Sequence, residues 1–150
     1  MEYEEQFERD FMKRTQSLLR EYDERAGPYD ATLLVNCLLG MLVVPTETFI
    51  EKIPTDPISD LKKWGISHSS IKSVGKRTPN NPHPDTLRGV VWNLRNAVAH
   101  FGVTPLHQRG ECIGFEFRDD MAGFTAEISL GELRQFVEKL AEHLERKLAA

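Results

Sequence analysis

The sequence has few of the features that mark disulfide-rich or membrane-spanning proteins. Its 150 residues include only two cysteines, Cys37 and Cys112, with neither a C-x-x-C spacing nor a secretory signal. The longest apolar stretch, residues 31–44, is interrupted by polar residues and glycine and ends at Pro45, so it is too short to span a membrane. We therefore expect two reduced, structural thiols in a cytoplasmic protein without a membrane segment.

Signatures of metal sites and of nucleotide-binding loops are also missing. Four histidines lie outside any H-x-x-x-H or carboxylate–histidine spacing: His68, His83, His107 and His143. The glycines are scattered and form neither a P-loop nor a dinucleotide-binding pattern. The serines around His68 lack a nucleophile-elbow motif. The sequence therefore predicts no metal and no cofactor.

Acidic residues outnumber basic residues, 23 to 19, but positive charge is concentrated in one part of the chain. The formal net charge of −4 argues against binding nucleic acid by bulk attraction. Residues 1–25 sum to −3, whereas residues 56–100 sum to +4. The candidate substrate-binding cations in this basic part are Lys72, Lys76, Arg77 and Arg88. The alternative is that they are ordinary solvated surface charges.

The length predicts one domain, residues 1–150. Apolar residues at helical spacing predict a first amphipathic helix: Phe7, Phe11, Leu18 and Tyr22. A second helix, from about Tyr29 to Val44, is apolar nearly all round, which is typical of a central helix. Residues 53–84 are rich in proline and glycine and predict a long, partly irregular connection.

The third helix is predicted to begin after Asp85 as N-cap and to end near Gly102. Its core-facing stripe consists of Leu87, Val90, Val91, Leu94, Val98 and Phe101. Alternating residues on either side of 119–123 predict one β-hairpin: Ile113, Phe115 and Phe117, then Phe124, Ala126 and Ile128.

A capping box, Ser129-x-x-Glu132, predicts the start of the last helix. The buried stripe of that helix consists of Leu133, Phe136, Val137, Leu140, Leu144 and Leu148. Together these patterns predict a mainly α fold, an antiparallel helical bundle with one β-hairpin before the last helix.

The clearest candidate for chemistry is the Arg95-Asn96-x-x-x-His100 segment at the end of the third helix. At about 100° per residue, Asn96 and His100 form an i,i+4 pair facing away from the core, and Arg95 lies about 140° from His100. The same face also carries Gly89, Trp92 and Asn93. An arginine and a histidine together suit phosphate binding and acid–base work. Alternatively, His100 bonds free helix carbonyls and Arg95 forms a salt bridge.

Helical hairpins with Arg95-Asn96-x-x-x-His100 at the end of the third long helix resemble the HEPN superfamily, whose motif is arginine, a polar residue, three variable residues and histidine. Residues 29–45, YDATLLVNCLLGMLVVP, are similar to a plasmid-borne bacterial subgroup of that superfamily, as is the hairpin followed by a capped helix. The resemblance covers about residues 22–144.

The resemblance implies a metal-independent endoribonuclease that dimerises so that both motifs meet in one cleft, often as a toxin or antiviral effector. His100 would act as general base on the ribose 2′-hydroxyl, Arg95 would bind the scissile phosphate, and Asn96 would orient them. The products would be a cyclic phosphate and a 5′-hydroxyl. The sequence departs at one position, since Phe101-Gly102 stands where many active members have a tyrosine two residues after the histidine.

The implied partners are RNA, a second copy of the chain and a cognate antitoxin or regulatory protein. The predicted dimer interface is Gly89, Trp92 and Asn93. Exposure of the Trp92 ring to water is unfavourable, and Gly89 permits the close approach of a second backbone. Alternatively, the hairpin or the loop covers Trp92 within one chain. The alternative function is a noncatalytic HEPN module that binds RNA, a nucleotide or a protein partner.

Overall fold

The computed structural model describes residues 7–25, 32–33, 35–37, 40 and 50–149. Helix α1 spans Phe7–Arg25. The described residues between 32 and 40 are helical: Thr32, Leu33, Val35, Asn36, Cys37 and Gly40. The remainder of the predicted second helix, from about Tyr29 to Val44, lies outside the described residues. Cys37 and Cys112 are both free thiols, and burial raises the pKa of Cys37 to about 11.

The 53–84 connection contains regular structure. Three 3-10 helices, Ile50–Lys52, Ile58–Trp64 and His68–Ser70, precede strand β1, Ile71–Val74. The following elements are α2, Leu87–Ala99; β2, Val103–Gln108; β3, Glu111–Asp119; β4, Phe124–Ser129; and α3, Leu130–Ala149.

The strands form one antiparallel sheet in the order β1-β4-β3-β2. Strands β2 and β3 are joined by Arg109-Gly110, both with positive φ, 53° and 80°, as in the tight turns that suit strand twist. The prediction of a mainly α helical bundle with one β-hairpin is therefore wrong, because the described residues form a four-stranded sheet together with the helices.

The two strands that the sequence pattern missed are the edge strands. β1 has only four residues, and β2 contains Pro105, which cannot donate a backbone hydrogen bond. Proline is tolerated at a sheet edge, where its position need not pair with a second neighbour. Neither segment shows the strict alternation that identified β3 and β4.

The core lies between the inward face of the sheet and the apolar stripes of α2 and α3. Phe117, Phe124, Ala126 and Ile128 of the sheet are buried. The predicted stripe of the last helix is confirmed for its described side chains: Leu133, Phe136, Val137, Leu140 and Leu144. The side chain of Leu148 is not among those that the structure describes. In α2, Leu87, Val90, Val91, Leu94 and Val98 are buried as predicted.

The capping box at the start of α3 is confirmed. Ser129 N donates to Glu132 Oε1 over 3.1 Å, and Glu132 N donates to Ser129 Oγ over 3.2 Å. Glu132 Oε2 also accepts from Ser67 N and Ser70 Oγ. Burial raises the pKa of Glu132, but hydrogen bonds from Ser67, Ser70 and Ser129 outweigh burial and lower it overall. One carboxylate thus joins α3 to the chain before β1.

Helix α2 is capped by Thr86, so the prediction of Asp85 as N-cap is wrong. Thr86 Oγ1 accepts from Gly89 N at 3.2 Å. The Asp85 carbonyl accepts a hydrogen bond from Ile58 N at 3.0 Å. Nearby, Leu87 N donates to Asp56 O at 2.8 Å. These two bonds attach the start of α2 to residues 56–58.

Candidate functional site

One face of α2 is covered by the segment 74–84 of the same chain. Asn93 Nδ2 donates to Val74 O at 3.1 Å, and Asn81 Nδ2 donates to Gly89 O at 3.2 Å. A Cβ on Gly89 would collide with the backbone of His83 and Pro84. Gly89 and Asn93, predicted as dimer-interface residues, are buried against this segment of the same chain.

The same face of α2 is exposed to solvent at the C-terminal end of the helix, two turns after Asn93. His100 is the C-cap residue and is exposed. Phe101 follows in the left-handed region with φ 58°. Phe101 N donates to Val98 O at 3.3 Å, and Gly102 N donates to Ala97 O at 2.6 Å. This pair of bonds is a Schellman motif, in which the left-handed position is usually glycine.

The left-handed turn overturns one sequence prediction. Phe101 was expected on the buried stripe of α2, but its side chain is 95% exposed. The prediction is wrong because it continued helical geometry through residue 101, whereas the helix ends at Ala99 and the reversal of φ turns the ring away from the core.

The end of α2 is also attached to the sheet. Arg118 N on β3 donates to Gly102 O at 2.7 Å, and a Cβ on Gly102 would collide with Arg118 O. Only glycine allows this close approach of two backbones. The contact fixes the position of His100 relative to β3.

A groove of about 490 Å³ lies beside His100. Its lining residues come from the end of α2, from β2, and from β3 with the turn after it: His100, Gly102, Thr104, Arg118, Asp119, Asp120 and Met121. The groove therefore places one imidazole, one guanidinium and two carboxylates together. It is open to solvent and large enough for part of a nucleotide chain.

Arg118 is the cation of the groove, and the sequence did not predict it as a site residue. Its Nη2 donates to Asp120 Oδ1 at 3.1 Å, and its Nε lies 4.0 Å from Glu116 Oε1. All of these ion pairs involve an exposed Arg118 side chain and are weak in water. The outward position of Arg118 in the predicted hairpin was visible, but its proximity to His100 depends on β2, which the sequence did not reveal.

Arg95 and Asn96 form a second cluster with Trp92 on α2. Arg95 Nη1 donates to Asn96 Oδ1 at 2.9 Å, and the guanidinium carbon of Arg95 lies 5.8 Å from the centroid of the Trp92 ring. All three residues are half-buried. The amide and the ring hold a cation in a defined orientation, through a hydrogen bond and a cation–π contact.

None of the predicted substrate-binding cations is among the residues that line the groove beside His100. Arg88 donates from Nε to Ile53 O at 2.8 Å and from Nη2 to Glu51 O at 2.7 Å, so its guanidinium holds the chain before α2. Lys72, Lys76 and Arg77 are exposed, on β1 and the residues just after it. Lys72 Nζ donates to Ser69 O at 3.0 Å.

Metal-ligand clusters and membrane-spanning helices are absent from the part of the chain that the structure describes. No group of three or more histidine, cysteine, aspartate or glutamate residues is arranged to hold a metal ion. No described helix is both long enough and apolar enough to cross a bilayer.

Comparison with known proteins gave one match. A family model described as HEPN pEK499 p136 matches residues 1–149 of the chain. Neither a curated protein nor a solved structure gives a significant match.

Proposed function

Because the chain belongs to the HEPN pEK499 p136 family, we propose that it is a metal-independent endoribonuclease, a toxin or antiviral effector acting as a homodimer with a composite active site. The observation that carries the proposal is the position of His100. Its imidazole is exposed at the end of α2 and borders a groove that also contains a guanidinium, Arg118. An accessible imidazole beside a cation suits proton transfer next to a phosphate.

The proposed reaction uses the 2′-hydroxyl of RNA as nucleophile. The imidazole of His100 takes the 2′-hydroxyl proton, the 2′-oxygen forms a bond to phosphorus, and the bond from phosphorus to the 5′-oxygen breaks. The leaving 5′-oxygen takes a proton from water. The guanidinium of Arg95, oriented by Asn96, stabilises the charge that develops on the phosphate oxygens. The products are a 2′,3′-cyclic phosphate and a 5′-hydroxyl.

Helix geometry supports the need for two subunits. Arg95 and His100 are five residues apart, which is about 140° around the axis of α2. The backbone of α2 thus directs the side chains of Arg95 and His100 to different sides of the helix. A second copy that packs against the end of α2 would place the guanidinium of one subunit beside the imidazole of the other.

One observation favours the second candidate function, a noncatalytic HEPN module that binds a partner protein. Asp119 and Asp120 bring two carboxylates into the groove, and carboxylates repel phosphate. The exposed pair between Arg118 and Asp120 reduces this repulsion only in part. Direct measurement of RNA cleavage therefore separates the two functions.

The test is incubation of the pure protein with total RNA and with a synthetic single-stranded RNA in excess chelator. We expect cleavage that leaves cyclic phosphate and 5′-hydroxyl ends, detected by end-specific labelling. Cleavage that stops in chelator would contradict a metal-independent mechanism. Absence of both RNA cleavage and RNA binding would favour the noncatalytic module that binds a partner protein, and a strict monomer in solution would contradict the composite site.

The charges in the groove predict opposite effects for two substitutions. Asp120→Asn removes a carboxylate and releases Arg118, so we expect a KM about two- to fivefold lower. Arg118→Ala should raise KM by a similar factor, with little change in kcat. Arg109→Ala, an exposed arginine at the tip of the β2–β3 turn, is the matched control. Equal effects of Arg118→Ala and Arg109→Ala would show that the groove does not hold RNA.

A further inference from the structure

Phe101 combines two unfavourable features at one position. Its φ of 58° lies in the left-handed region, which glycine adopts at much lower cost. Its ring is 95% exposed, so burial of the side chain contributes almost nothing to the folded state. A glycine or asparagine would complete the same Schellman motif without exposing an aromatic ring. Such a residue is typical of a functional site rather than of a structural one.

The surroundings of Phe101 point to a nucleotide as its contact. The two chain neighbours of Phe101, His100 and Gly102, both line the groove, and the same groove contains the Arg118 guanidinium and the Thr104 hydroxyl. An exposed aromatic ring whose two chain neighbours line a groove with a cation and a hydroxyl matches the base and the phosphate of one nucleotide. Unpaired bases stack on aromatic side chains in this way in RNA-binding proteins.

We infer that Phe101 is a stacking platform for an unpaired nucleobase, the one next to the phosphate at which His100 acts. The inference rests on the proposed ribonuclease function and specifies its substrate subsite. Phe101 directly follows His100 in the chain, so a base stacked on Phe101 would bring its own ribose and phosphate close to His100. Phe101 is then a positioning residue that sets which nucleotide enters the site.

The first test compares Phe101 variants in cleavage of a short single-stranded RNA. Phe101→Ala and Phe101→Leu both remove the aromatic face, so kcat/KM should fall about tenfold or more, whereas Phe101→Trp should retain activity. Leu18→Ala, at an exposed leucine on α1, is the control for loss of an exposed apolar side chain. Phe101→Gly should lose activity without losing stability, because glycine suits the left-handed turn.

A second test measures stacking of a base on Phe101 in a protein that does not cleave RNA. In the His100→Ala background, RNA carrying 2-aminopurine should lose fluorescence on binding, and the added Phe101→Leu change should abolish that loss. The fluorescence measurement tests the stacking inference even if the protein proves not to be a nuclease. Full activity of Phe101→Leu, or absence of quenching when Phe101 is present, would overturn it. Conversion of a dimer to a monomer by Phe101→Ala would identify the ring as a subunit contact instead.

Discussion

Replacing His100 with alanine is expected to lower the rate of RNA cleavage by at least about 100-fold, because a general base contributes roughly 10²- to 10⁴-fold to such a reaction. The imidazole is exposed, and the turn that follows it is formed by backbone bonds. The substitution should therefore leave the fold intact. Initial rates at saturating RNA in chelator measure the effect, and thermal unfolding measures the stability of the variant.

The matched control is His107→Ala, since His107 is also exposed but lies on β2, outside the set of residues that lines the groove. We expect it to cleave at the wild-type rate. A His100→Ala protein with nearly normal activity, or equal losses in both variants, would remove His100 from the mechanism.

Mixed dimers test whether the site is shared between subunits. Arg95→Ala should also be inactive, because it removes the cation that Asn96 and Trp92 hold in place. In a dimer of one His100→Ala and one Arg95→Ala subunit, one intact guanidinium and one intact imidazole remain on different chains. If they act across the interface, mixing the two inactive proteins should restore part of the activity. Failure of mixing to restore any activity, although the subunits exchange, would indicate that each chain works alone.

Local sequence signals predicted the parts of the fold that depend on neighbours in the chain. The capping box at Ser129 and Glu132 involves residues three apart, and the structure contains both of its hydrogen bonds. The stripes of α2 and α3 follow from helical periodicity alone. The alternation of β3 and β4 likewise depends only on which face of a strand is buried, and it holds for all the named residues except Ile113, which is exposed.

The features that the sequence did not predict depend on contacts between residues far apart in the chain. Strand β1 forms because Val74 pairs with Phe124, and nothing within its four residues indicates that partner. The position of Arg118 beside His100 follows from the bond between Arg118 N and Gly102 O. The motif Arg95-Asn96-x-x-x-His100 was visible, but the exposure of Phe101 depends on where the helix ends, and helix ends are the least certain part of a sequence prediction.

Gly102→Ala is expected to lower the free energy of unfolding by about 1–3 kcal/mol, the usual cost of forcing an extra carbon into a packed site. The added Cβ would collide with Arg118 O, and a backbone oxygen cannot move aside by rotating a side chain. To relieve the collision, the end of α2 must separate from β3, which moves His100 relative to the groove. We therefore expect slower cleavage together with the lower stability, measured by urea unfolding and initial rates.

The control for this substitution is Gly131→Ala in the first turn of α3. No atom lies within 4 Å of a Cβ built on Gly131, and alanine favours a helix over glycine by up to about 1 kcal/mol. Gly131→Ala should thus equal or exceed the wild type in stability and cleave at the normal rate. Since both changes add the same carbon to a glycine, their difference isolates the contact between Gly102 and Arg118. Wild-type stability in Gly102→Ala would show that α2 and β3 are not held together there, and that the groove beside His100 is not fixed by this contact.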